Sequence, residues 1–220
     1  PLTVFILVFI MNAINLIDGI DGLSAGLSLI ALVGFFYCFF SESIWIYSIL
    51  IAGLIGVLIP FLYYNVFGDA EKGQKIFMGD SGSLTLGYIL GVLLVKFCMD
   101  NPNVMAYRKG SIFLSVTLLI IPIFDVCRVV IVRMLHGYGI FHPDKNHIHH
   151  KFMRAGLTQH QALIAILAFA IAFIILNTVL FNWINFTVTI LIDIAIFTLF
   201  NLLVLNPFIK RNNKQPFQED

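Results

Sequence analysis

The sequence predicts an all-α fold, a polytopic membrane helical bundle with about seven transmembrane helices. Of its 220 residues, 60% are hydrophobic and only 11% charged; 22 are Phe, and the mean hydropathy is +0.95. A water-soluble domain of this size cannot enclose that much apolar side chain, so the solvent is lipid. The apolar residues also come in long runs divided by short polar connections. The net charge of +1 is too small to point to nucleic acid. Cys38, Cys98 and Cys127 lie in or beside apolar runs without paired spacing, as packing residues do, rather than disulfides or zinc ligands.

In order, the apolar segments are 2–16, 23–40, 44–67, 81–99, 111–135, 161–181 and 184–208. Hydrocarbon about 30 Å thick needs ~20 such residues per crossing, and the first run falls short of that. It opens at Pro1 without a charged leader, so the expectation is a longer helix whose N-terminal part precedes this numbering. Segment 81–99 carries Ser83, Gly87 and Gly91 at four-residue steps, a small-residue stripe for helix contact. Segment 111–135 carries Asp125 and Arg128 one turn apart, a pair that makes burial tolerable; structural and catalytic roles for Asp125 stay open. Asp193, within the last segment, has no explanation from sequence.

If each segment crosses once, 18–22, 68–80, 136–160 and 210–220 fall on one side. Every Lys and Arg except Lys96, Arg108 and Lys109 lies on or beside that side, which is therefore cytoplasmic. Trp45 and Trp183 mark the opposite boundary, where indoles prefer to lie. The chain divides into a membrane domain, 1–209, and a polar cytoplasmic tail, 210–220, without assigned chemistry.

Three clusters face the cytoplasmic side. In Asn12-Ala-Ile-Asn15-Leu-Ile-Asp18-Gly-Ile-Asp21-Gly22, amides and carboxylates end an apolar helix, at a cost of about 2.5–3.5 kcal/mol per Asp on insertion scales. A turn whose Asn and Asp bond their own backbone explains one Asp-Gly, but poorly explains two preceded by paired amides. Phe77-Met-Gly-Asp80-Ser-Gly-Ser83 opens a helix, leaving N–H groups for phosphate oxygens and a hard oxygen on Asp80 suited to Mg²⁺. Simple capping by Asp80 or Ser81 would not need the flanking glycines. In Lys145-Asn-His147-Ile-His149-His150-Lys151, lysines beside histidines repel a metal and attract phosphate, so zinc is disfavoured. A solvated basic loop accounts for His136, His142 and His160, but not for this cluster. Together the three imply phosphoryl transfer, where positioning and charge neutralisation do most of the work. A membrane location is needed only if one substrate is a lipid.

These motifs, in this order, resemble the polyprenyl-phosphate N-acetylhexosamine-1-phosphate transferases, glycosyltransferase family 4. The His-x-His-His form after Pro143-Asp144 is more similar to the WecA or TagO branch than to MraY. The resemblance implies transfer of a sugar 1-phosphate, N-acetylglucosamine 1-phosphate above all, from a UDP-N-acetylhexosamine to undecaprenyl phosphate. UMP is released with Mg²⁺, for which Mn²⁺ can substitute, at the inner membrane; a homodimer is left open. By the same resemblance Asp80 and Asn15 are metal-site residues, and Asp18, Asp21 and His149 are catalytic. Asn15, Phe77 (beside the uracil), Asn65, Lys145, His147 and His150 bind substrate. Lys145 stands where that branch commonly has Arg, keeping the charge but losing the bidentate fork. The family's paired Asp motif of an earlier loop is absent, so the resemblance implies that these 220 residues alone are inactive.

The rival reading is a transporter or proton channel with Asp18, Asp125 and Asp193 as a relay. It needs carboxylates spread through the bilayer depth, whereas Asp18, Asp21 and Asp80 gather at one end of the predicted segments, and it leaves the glycine turn and His loop unused.

Overall fold

The computed structural model describes residues 1–100, 107–139 and 147–206. Lys145 and the tail 210–220 lie outside them. Among the described residues nine α-helices follow in order: α1 Leu2–Ile17, α2 Leu23–Ser41, α3 Trp45–Phe67, α4 Gly79–Phe97, α5 Ser111–Leu118, α6 Ile120–Leu135, α7 Ile148–Arg154, α8 Gln159–Leu180 and α9 Phe186–Leu199. A π-helical turn, Phe200–Leu205, extends α9, and no strand occurs among the described residues.

Within the described residues each of the seven apolar segments is mainly helical, but they are not seven equal crossings. α2, α3, α4 and α8 are long and apolar enough to span, and α5 with α6 makes a fifth span only if counted as one bent pair. That pair corrects the expectation of a single helix over 111–135: it bends by 75°. Leu119, at φ −111° and ψ 17°, joins the halves, and Pro122 has no N–H to bond the Leu118 carbonyl. α1 and the last helix, Phe186–Leu202, fall below spanning length. α7, inside the His cluster, has no counterpart among the seven runs.

α1 packs most closely on α4 because the small-residue stripe of α4 faces it. A Cβ on Gly87 would lie 2.7 Å from the Met11 Cα, so the two backbones nearly touch. One apolar core joins α1 to α4 through Ile10, Ile14, Phe35, Phe39, Leu90 and Phe97. A second joins the end of α1 to α6, α7 and α8 through Ile17, Leu23, Ile120, Ile148, Phe152 and Ile166. Outward-facing Ile46, Ile49, Val57, Ile164 and Ile175 are exposed, as lipid-facing positions must be.

Three buried polar side chains inside the bundle meet at Asn177. Asn177 donates to Thr117 Oγ1 at 3.1 Å and to Asp193 Oδ2 at 2.9 Å, tying α8 to α5 and α9. This gives the otherwise unexplained Asp193 a partner. Arg108 donates to the Phe97 carbonyl at 2.7 Å and lies over the Phe97 ring, so one cation of the sparsely basic side closes a helix C-terminus.

Candidate functional site at one end of the bundle

The site forms where α1 stops. Asp18 caps α1, and the chain turns through Gly19 to Gly22, whose φ of +78° suits a residue without a side chain. Asn12 takes no part, since its amide donates back to the Val8 carbonyl at 2.7 Å. Asn15 reaches across to α4, its Nδ2 donating to Ser83 Oγ at 2.9 Å and Asp80 Oδ1 at 3.2 Å. Asp80 sits in the first turn of α4, an end that no side chain caps, so the first N–H groups there are not claimed by a capping residue.

Between α3 and α4 an irregular strand of chain, from Gln74 to Met78, is fastened to the α1 turn at two points. Asn65 accepts from the Gly22 N–H at 2.6 Å and donates to the Ile76 carbonyl at 2.8 Å. Buried, with both ends of its amide committed to backbone, Asn65 clamps the two acidic segments together. Lys75 Nζ bonds Asp21 Oδ2 at 2.7 Å. Phe77 is 71% exposed, with the Lys75 ammonium 5.8 Å from its ring centre.

The third segment arrives on α7. The His149 ring occupies the space over Gly19 that a Cβ would fill. It is 2% exposed, and neither ring nitrogen has a hydrogen-bond partner among the described residues. Burial above all, then the neighbouring His150, pushes its pKa down to about 4, so the ring is neutral at physiological pH. His150 packs against it, ring centres 4.1 Å apart. His147, also buried, meets Asp125 Oδ2 through Nδ1 at 2.8 Å. Lys151 donates to Asn201 Oδ1 at 3.2 Å, and burial followed by Arg128 and Arg154 pulls its pKa down to about 8.

Electrostatically the site gathers three carboxylates, of which Asp21 is paired with Lys75. Asp18 lies beyond the end of α1, and burial, then Asp80 and Asp21, raise its pKa to about 6. A cation would relieve that repulsion. Among the described residues no three His, Cys, Asp or Glu form a ready-made metal cage. Mg²⁺ does not require one, since it takes one or two carboxylates and keeps waters and substrate phosphates for the rest. The hard oxygens of Asp80, Asp18 and Asn15 suit that partial coordination.

The structure therefore brings together Asn15, Asp18, Asp21, Asn65, Phe77, Asp80 and His149, with His147 and His150 alongside. Sequence reasoning missed three contributions. Lys75 was legible as a cation two positions before Phe77; the Asn65 clamp and the Gly19 seat were not, because Asn65 and Gly22 lie 43 positions apart, Gly19 and His149 lie 130 apart, and neither pair follows a local spacing.

Residues 1–98 match glycosyl transferase family 4. Over 166 residues, 76% of the chain, it is 40% identical to a Bacillus subtilis (strain 168) protein named "probable undecaprenyl-phosphate N-acetylglucosaminyl 1-phosphate transferase", covering 44% of that protein. It is 32% identical over 170 residues, 75% of the chain and 43% of the relative, to the Escherichia coli (strain K12) "undecaprenyl-phosphate alpha-N-acetylglucosaminyl 1-phosphate transferase". A Yersinia pestis protein with that same name is 30% identical over 164 residues, 74% of the chain and 43% of the relative. The chain thus spans less than half the length of these relatives. Through the stretch that carries the first two acidic clusters, the chain belongs to glycosyl transferase family 4.

Proposed function

We propose that the protein carrying this chain transfers N-acetylglucosamine 1-phosphate from its UDP-sugar to undecaprenyl phosphate and releases UMP. The reaction takes place at the cytoplasmic face of a bacterial inner membrane, in the synthesis of a cell-surface glycan. An oxygen of the lipid phosphate becomes bonded to the β-phosphorus of the UDP-sugar, and UMP departs with the bridging oxygen. The observation that carries this reading is the seat of His149 on Gly19, between Asp18 and Asp21 in a turn whose Asp18 feels the charge of Asp80, itself bonded to Asn15. Three segments distant in sequence meet there, each with chemistry suited to phosphates.

Asp80, Asn15 and Asp18 would hold Mg²⁺, which when bound neutralises charge on the diphosphate. The uncapped first turn of α4 offers N–H donors to phosphate oxygens. Phe77 presents an exposed ring on which a uracil can stack, next to the Lys75 ammonium. Neutral His149 offers a ring nitrogen for hydrogen bonding without adding a fixed cation. The bonds of Asp193 run to Asn177 on α8 and through it to Thr117 on α5, not to Asp125 or Asp18, which does not favour a relay of the three carboxylates.

The test is UMP release by the intact protein from UDP-N-acetylglucosamine, undecaprenyl phosphate and Mg²⁺. Lipid-linked product should appear in equal amount and vanish with a chelator. Asp80→Asn should lower the rate by about 100-fold or more with the melting temperature kept. Ion or proton flux without any UMP would overturn the reading.

A further inference from the structure

One carboxylate has no part in the site described so far. Asp125 on α6 is fully enclosed and takes three donors. Arg128 Nη2 reaches Oδ1 at 2.7 Å, the Ile148 N–H reaches Oδ1 at 2.9 Å, and His147 Nδ1 meets Oδ2 at 2.8 Å. Two of these donors belong to the start of α7, more than 20 positions further along the chain. The His147 ring lies parallel to that of His149, planes 4° apart and centres 6.1 Å apart. His149 in turn rests on Gly19. One acceptor thus begins a line of packed groups that ends at the Asp18–Asp21 turn.

We propose that Asp125 is a positioning residue of this site, acting through His147. It pins the first N–H of α7 and fixes the imidazole with its proton on Nδ1, leaving Nε2 as the free ring nitrogen. An ionised carboxylate beside Arg128 only accepts hydrogen bonds, so the His147 nitrogen facing it must be the one that donates. In a neutral ring the other nitrogen is then an acceptor. The competing account is an Asp125–Arg128 pair that merely makes a charged helix tolerable. Such a pair needs Arg128 alone; it leaves unexplained why Oδ2 goes to an imidazole and why Oδ1 also takes a backbone N–H of the next helix. Buried ion pairs are in any case weak sources of stability, because desolvation offsets their attraction. The arrangement follows the pattern in which an outer carboxylate orients a working histidine, whose loss typically costs about 10–100-fold.

The kinetic half of this proposal rests on the transferase reading; the tautomer half does not. In the intact protein carrying ¹⁵N-labelled histidine at pH 8, with His147→Gln identifying the signals, His147 should show a protonated Nδ1 and a bare Nε2. Asp125→Asn should invert or average that pattern. In the transfer assay, Asp125→Asn and His147→Gln should each lower kcat by about tenfold or more, with KM for the UDP-sugar within about twofold. The double variant should be no worse than the poorer single one. Asp125→Glu should recover part of the loss. Losses that multiply in the double variant overturn the proposal, as does an Nε2-protonated His147 in the unsubstituted protein; that second measurement decides the matter even if Asp125→Asn does not fold. An unsubstituted protein that releases no UMP sinks the transferase reading and leaves the tautomer result standing.

Discussion

At the scale of single residues, the site is a balance between acids crowded together and the groups that hold them. Asp18 shows the balance most directly. Its carboxyl titrates near 6, above the ordinary 3.8, because burial and two neighbouring acids oppose its ionisation. Since the folded value exceeds the unfolded one, the folded state holds this proton longer, and ionisation between about pH 4 and 6 works against folding. Without divalent cation, this group should make the protein's melting temperature fall as pH rises through that window, and Mg²⁺ should restore it. The same proton competes with the metal, so the Mg²⁺ concentration for half-maximal transfer should climb as pH drops below about 6 and stay level above 7. A requirement independent of pH from 5.5 to 8 would contradict this. Asn15, Asp18 and Asp80 were legible in the sequence because polar groups at the end of an apolar helix are costly and stand out. The Asn65 clamp was not, because an isolated Asn ending a helix looks the same whether it faces a ligand or a backbone amide.

At the scale of elements, the sequence marked where helices touch more reliably than where they end. The Ser83, Gly87, Gly91 stripe meets α1 as the four-residue spacing implies, and the contact sets the distance across which Asn15 reaches Asp80. Gly87→Val should force α1 and α4 apart, because the nearest atoms are backbone and cannot rotate away. A loss of about 1–3 kcal/mol in thermal unfolding in detergent is expected, with a parallel loss of transfer. Gly53→Ala in α3, where a Cβ meets nothing within 4 Å, should leave both unchanged. An equal effect of the two would remove the case for close packing. The break at Leu119 escaped hydropathy because both halves are equally apolar, and an averaging window is blind to one missing N–H at Pro122. α7 escaped because seven residues carry too little periodic pattern to separate a short helix from a loop.

At the scale of the whole molecule, alternation of the apolar runs and the distribution of Lys and Arg placed all three clusters on one side, and the contacts among Asn15, Asp80, Asp21, Lys75, Gly19 and His149 agree. Hydropathy did not tell full crossings from short ones, since it measures composition and not the path of the chain. Orientation can be checked in cells with single cysteines placed in a background lacking Cys38, Cys98 and Cys127. Asn182→Cys, between α8 and α9, should react with a membrane-impermeant maleimide from outside. Glu71→Cys, between α3 and α4, should react only after permeabilisation. The opposite pattern would invert the proposed orientation.

The kink at Leu119 changes what depth means for the charges beyond it. A straight helix of 16 residues rises about 24 Å. Bent by 75°, α6 advances only about 6 Å along the direction of α5 and travels sideways for the remainder. A carboxylate and a guanidinium that hydropathy assigns to mid-hydrocarbon are thereby turned aside from the line of α5, and Asp125 is enclosed by protein and paired with Arg128.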